Sequence, residues 1–192
     1  MDSDGPTTVA LTVNAPAWED GLGEEPEPPQ PLQAVAARIV RATLEAAART
    51  PWLKAGEVSV LLTDDREIRA LNAAYRQRDR ATNVLSFPGL DLADGASGVV
   101  RPPAAAMLGD IVMSHERLMA EADELAKAPL DHFAHLLVHG TLHLLGYDHE
   151  DDGRALVMEA LEARILKTLG RAAPYTPASE VDAGPAAPSV AP

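Results

Sequence analysis

Apolar positions along this chain recur first at every second residue and then at every third or fourth, and the two periods alternate. Thr8 to Val13 has Val9, Leu11 and Val13 on one side and Thr8, Ala10 and Thr12 on the other, which predicts a half-buried strand. Residues 15–31 close with EEPEPPQP and predict an extended, Pro- and Glu-rich loop or solvated linker. From Leu32 to Thr50 the chain is rich in Ala, with Leu32, Val35, Ile39, Val40 and Leu44 at helical spacing, and Pro51 ends it. A second strand spans Glu57 to Leu62. Asp64 then caps a helix with Glu67 at the capping-box position and Ile68, Leu71 and Tyr75 as the buried stripe.

After a polar loop with Arg76, Arg78 and Arg80, Asn83 to Phe87 reads as a short third strand, and Pro88 suits its end. Residues 89–106 are rich in Gly, Ala and Pro and predict a flexible loop. Met107 to Met113 is the fourth strand. Ser114 caps a helix with Leu118, Ala122 and Leu125 on one side. The helix at about 130–145 is apolar nearly all round, through Phe133, Leu136, Leu137, Val138, Leu142 and Leu144. Its exception is a stripe of His135, His139 and His143, so it is expected to be central and buried. A last helix, about 151–169, carries Met158, Leu161, Ile165 and Leu169 on one face. Interleaved strands and helices predict an α/β (α+β) fold. It has one mixed sheet of about four strands, partly parallel, packed with about five helices. One domain is expected over 1–171, followed by a disordered Ala/Pro-rich tail at 172–192.

Composition changes this picture at two points. A net charge of −13 over 192 residues argues against a nucleic-acid partner. Yet Asp2, Asp4, Glu19, Asp20, Glu24, Glu25, Glu27, Glu180 and Asp182 lie in end segments, 1–31 and 172–192, that contain no Lys or Arg, so the body can still hold a basic groove. The chain has no cysteine and hence no disulfide. No apolar run is long enough to cross a membrane, and MDSDGPTTVA lacks the basic-then-apolar layout of a secretion signal, so the cytoplasm is the expected compartment.

The candidate chemistry is concentrated in residues 139–149, HGTLHLLGYDH. Four-residue spacing stacks His139 and His143 on one helix face, and Gly146 can end the helix so that the chain turns back with His149. The frame H-x-x-x-H-x-x-G-x-x-H matches metzincin-like zinc sites, with three imidazoles and an open fourth position. Those proteases carry glutamate directly after the first histidine; here that residue is Gly140. A close neighbour, another backbone or Arg76, is expected against Gly140. Asp148 and Asp110 are candidates to orient a ligand or take a proton, with Asp148 expected chiefly as a turn residue and Asp110 as structural or supporting a ligand; His135 is expected chiefly as a helix-face neighbour, with contact to a ligand or substrate as the alternative.

HGTLHLLGYDH resembles the signature of the YbeY family, metal-dependent endoribonucleases of ribosomal RNA maturation. LNAAYRQRDRATNVLSFP at 71–88, LGDIVMS at 108–114 and MEALEARIL at 158–166 are similar to further blocks of that family, with Ala81 where it often has proline. The resemblance implies one Zn²⁺ on His139, His143 and His149, and Arg76 as the catalytic arginine of a substrate groove. It implies single-stranded RNA as substrate, with 16S rRNA 3′-end maturation and ribosome quality control as the setting. The implied partners are the small ribosomal subunit and an associated GTPase. An ion held by three imidazoles lowers the pKa of water to about 7, and Arg76 can steady the charge of a phosphoryl group. Two other readings of the histidines are a zinc peptidase or other metal hydrolase, and a ribosome-assembly factor whose zinc is mainly structural.

Overall fold

The structure is a computed structural model that describes residues 7–22, 30–92 and 106–172. Four strands, β1 (Thr8–Val13), β2 (Glu57–Thr63), β3 (Val84–Pro88) and β4 (Met107–Ser114), form one sheet in the order β1-β2-β4-β3. β1 and β2 pair in parallel, as do β2 and β4, while β3 runs antiparallel to β4. The sheet is mixed, as the alternating periods predict. Five α-helices accompany it: α1 (Leu32–Ala47), α2 (Asp65–Arg76), α3 (His115–Glu124), α4 (Pro129–Leu144) and α5 (Asp152–Thr168).

α4 is the centre of the core. It packs against α1, α3, α5, β3 and β4. Phe133, Leu137, Val138, Leu142 and Leu144 are fully buried. The positions where the helix opens are Asp131, His135, His139 and His143, one turn apart and half-buried. Pro129 starts the helix, where its missing N–H costs nothing.

Departures from the expected pattern are clearest in three places. The stretch 15–31 is not a solvated spacer at its start: Pro16–Asp20 form a 3₁₀ turn that buries Trp18, and Ala15 and Leu22 are also buried. Trp18 donates its indole N–H to the carbonyl of Thr63 at 2.9 Å and meets Phe133 edge-on at 6.0 Å. Residues 23–29 of that stretch, 93–105 of the expected flexible loop and 173–192 of the expected tail lie outside the described residues. On α2, Tyr75 is 68% exposed rather than buried. The inward position belongs to Asn72, whose amide donates to the Arg80 carbonyl at 2.8 Å. Leu125, expected on the buried side of α3, is 53% exposed because the helix ends at Glu124 and the chain turns away through Ala126 at φ 50°. Trp18→Ala is expected to cost about 3–5 kcal/mol of folding stability, the range for emptying a buried aromatic site. Chemical denaturation measures it, and a change below about 1 kcal/mol would mean that the turn contributes no core.

Candidate metal centre

His139 and His143 face the same way from the last two turns of α4. Gly146 follows with φ +79°, and a Cβ there would come within 2.2 Å of the Leu92 carbonyl oxygen. Only a residue without a side chain lets the backbone turn this tightly and bring His149 back. The three imidazoles converge, with ring centroids 4.6, 5.5 and 5.2 Å apart, and each offers one nitrogen within 4.8 Å of the others.

The outward nitrogens identify the inward ones. His143 Nδ1 is 2.9 Å from the Tyr147 carbonyl oxygen, which only accepts, so Nδ1 carries the proton and donates. His139 Nδ1 is 2.7 Å from Glu162 Oε1 and donates for the same reason. Both Nε2 atoms are then lone-pair atoms, and they face each other at 3.0 Å. Two acceptors at that distance repel unless a cation lies between them. Tetrahedral zinc, with Zn–N of about 2.0–2.1 Å, sets its nitrogens only slightly farther apart. The residues present therefore fit a zinc-type ion, with His149 as third donor.

Burial lowers the pKa of His143 to about 4, helped by the neighbouring His139 and His149. Burial pushes the Glu162 carboxyl up, but hydrogen bonds from His135 and His139 outweigh it and hold the group down at about 2. Burial also lowers His132, on the same helix. A histidine with a depressed folded pKa takes its proton first in the unfolded chain. Metal-free protein should therefore lose stability as pH falls from about 6.5 toward about 4. The urea midpoint at pH 5 should lie below that at pH 7, and the difference should shrink in His143→Gln.

The triad lies in a groove of about 830 Å³ together with Asn72, Arg76, Arg78, Arg80 and Asn83. Arg76, at the last turn of α2, donates from Nη2 to the Ser86 carbonyl at 2.9 Å. That bond leaves the rest of its guanidinium fork unused. Gln77 follows in the left-handed conformation, φ 57°, and turns the chain into the loop bearing Arg78 and Arg80. Asp79, between them, pairs with Arg69 at 2.7 Å and is thereby withdrawn from its neighbours.

Arg76, His139, His143 and His149 thus border one space, and Asp148 joins them. Asp148 behaves as a turn residue: it accepts from the Glu150 N–H at 3.1 Å and pairs with Arg154 at 2.6 Å. Asp110 is exposed on β4 and does not border the groove. His135 is bonded to Glu162 Oε2 at 3.2 Å. At Gly140 neither a backbone nor Arg76 lies closest. A Cβ there would meet Ile111 and Ser86 side chains, both at 3.1 Å, so α4 lies against the sheet at this point. Glu162 escaped the sequence reading. Its signal was an acid one turn after Met158 and one turn before Leu166, within the buried stripe of α5.

A mixed four-stranded sheet backed by a central helix, with three histidines converging beside a row of arginines, defines an α/β protein with a candidate three-histidine metal centre. Comparison with known proteins narrows this. The family model described as Endoribonuclease YbeY matches residues 25–170. The Endoribonuclease YbeY of Rhizobium meliloti is 48% identical over 172 residues, covering 87% of this chain and 94% of that protein. That of Dinoroseobacter shibae is 44% identical over 180 residues, covering 91% and 93%. A solution structure of a Thermotoga maritima protein superposes with a TM-score of 0.49 at 18% identity, covering 85% of this chain and 92% of that one. The chain belongs to the endoribonuclease YbeY family.

Proposed function

We propose that this protein is a zinc-dependent endoribonuclease acting on single-stranded ribosomal RNA, in 16S rRNA 3′-end maturation and ribosome quality control. The observation that carries the reading is the convergence of two imidazole lone pairs, with His149 beside them, in the same groove as Arg76. Membership of the family and the printed function of its relatives support the RNA substrate.

On this reading His139, His143 and His149 hold one Zn²⁺, which when bound supplies a Lewis acid and activates water near neutral pH. The chain's own residues do the rest. Arg76 is braced on the Ser86 carbonyl and offers its remaining N–H donors to phosphoryl oxygens, where negative charge grows during cleavage. Arg78 and Arg80 border the same groove and favour a polyanion along it. The Tyr147 carbonyl fixes His143 in the tautomer a metal needs. The peptidase reading loses support at Gly140, which stands where those proteases carry their glutamate and where a Cβ would already come within 3.1 Å of the Ile111 and Ser86 side chains. We further propose the small ribosomal subunit and an associated GTPase as partners, the cytoplasm as the compartment, and 1–171 as a single domain. No helix among the described residues is long and apolar enough to cross a membrane.

The test is cleavage of single-stranded 16S rRNA fragments by full-length protein, as purified, after chelation, and after zinc is restored. Cleavage lost on chelation and regained with zinc supports the reading. Equal cleavage in all three states overturns zinc dependence. Zinc bound one to one without any cleavage favours the assembly-factor alternative.

A further inference from the structure

Among the described residues, Glu162 is the one fully buried carboxylate, with a side chain 1% exposed. It comes from α5 and reaches α4 at two histidines. Oε1 accepts from His139 Nδ1 at 2.7 Å, and Oε2 is 3.2 Å from His135 Nε2. A carboxylate is costly to bury and is retained only where its oxygens are well matched by donors. Packing alone does not account for an acid here, because Met158, Ile165 and Leu166 already provide an apolar seam on this face of α5.

We propose that Glu162 is the positioning residue of the metal centre, holding His139 by Nδ1 so that its Nε2 addresses the ion. The inference rests on the histidine triad being a metal centre. The bond to Oε1 decides which ring nitrogen of His139 keeps its proton and fixes the plane of the ring. A carboxylate partner also makes the imidazole a stronger donor. The second oxygen lies 3.2 Å from His135 Nε2, which helps to offset the burial of the carboxylate. Of the other two ligands, His143 is held by a backbone carbonyl, so this side chain gives the triad a fixed negative charge behind one ligand.

The experiment uses the full chain. Zinc affinity is measured by competition with a chromophoric chelator, and the ligand field by the visible spectrum of the Co²⁺-loaded protein. Glu162→Gln preserves shape but removes the charge and one acceptor. It should weaken zinc binding by about 10- to 100-fold, the usual consequence of losing such a partner, and alter the Co²⁺ spectrum. His135→Ala leaves the Glu162–His139 pair in place and should bind zinc within a few-fold of wild type. A folded Glu162→Gln with wild-type affinity and spectrum overturns the inference, as does His135→Ala weakening zinc equally. A purely structural tie between α4 and α5 would lower the melting temperature and leave both metal readouts unmoved. Imidazole nitrogen NMR of the wild type tests the same point without a variant. His139 should carry its proton on Nδ1, and its Nε2 resonance should move when zinc is added; zinc on Nδ1 overturns the inference. Wild type that takes up no ion overturns the metal-centre reading itself, a distinct result.

Discussion

His143→Ala is expected to give a folded protein that no longer holds zinc at one ion per chain and cuts RNA only at background level. His143 is one of the three converging imidazoles proposed to hold the ion, and its helix neighbours are otherwise engaged: His135 by Glu162 and His132 by Glu121. Loss of a direct ligand should exceed the 10- to 100-fold typical of an outer partner, so affinity should fall by more than about 100-fold. Folding should survive, because the ring is half-buried at the end of α4 and the helix is anchored by Phe133, Leu137 and Val138. Zinc analysis, circular dichroism and the RNA assay on one preparation check the three parts. Retained stoichiometric zinc would put the ion elsewhere. Loss of both zinc and cooperative unfolding would make the ion structural. A folded variant that still binds ribosomal subunits without cutting would separate catalysis from assembly.

Arg76→Ala is the second large effect, and it should leave zinc untouched. The guanidinium makes no hydrogen bond to the three histidines; its bond is to Ser86. Removing one donor aimed at developing charge typically costs about 10²- to 10³-fold in rate, and cleavage should fall by that factor at full zinc occupancy. If the lost contact is to a phosphate, the salt dependence of RNA binding should also flatten, by about 0.7 in the slope for single strands. Arg76→Lys should not restore activity, since an ammonium cannot brace on a carbonyl and offer a planar fork at once. Unchanged cleavage in Arg76→Ala would make the arginine a helix cap and no more.

Much of the architecture was legible because strand and helix periods differ and the elements are well separated. The central helix announced itself by being apolar on all sides but one. The triad was legible from spacing, since an i, i+4 pair and a glycine turn are local geometry. What escaped was non-local. Trp18 sits in a Pro- and Glu-rich stretch whose composition reads as solvated, and its burial depends on a pocket made by Thr63 and Phe133. Asn72 displaced Tyr75 from the inward face of α2 because its amide has a partner eight residues on, which no apolar period encodes. Glu162 is the clearest case. Charge alone assigns it to the surface, and only the meeting of α4 and α5 reveals the two histidine donors that make its burial tolerable.

The strand order β1-β2-β4-β3 also governs the order in which the molecule can be assembled on the ribosome. β4 is the last of the described strands to be synthesised, yet it lies between β2 and β3, so β2 has only β1 beside it and β3 has no strand partner until residue 114 has emerged. Every triad histidine and Glu162 come later still. A nascent chain lacking α5 would have the three histidines but no carboxylate behind His139. The proposed centre is then completed only once α5 has emerged, so chains that stop short of it would lack an ordered site.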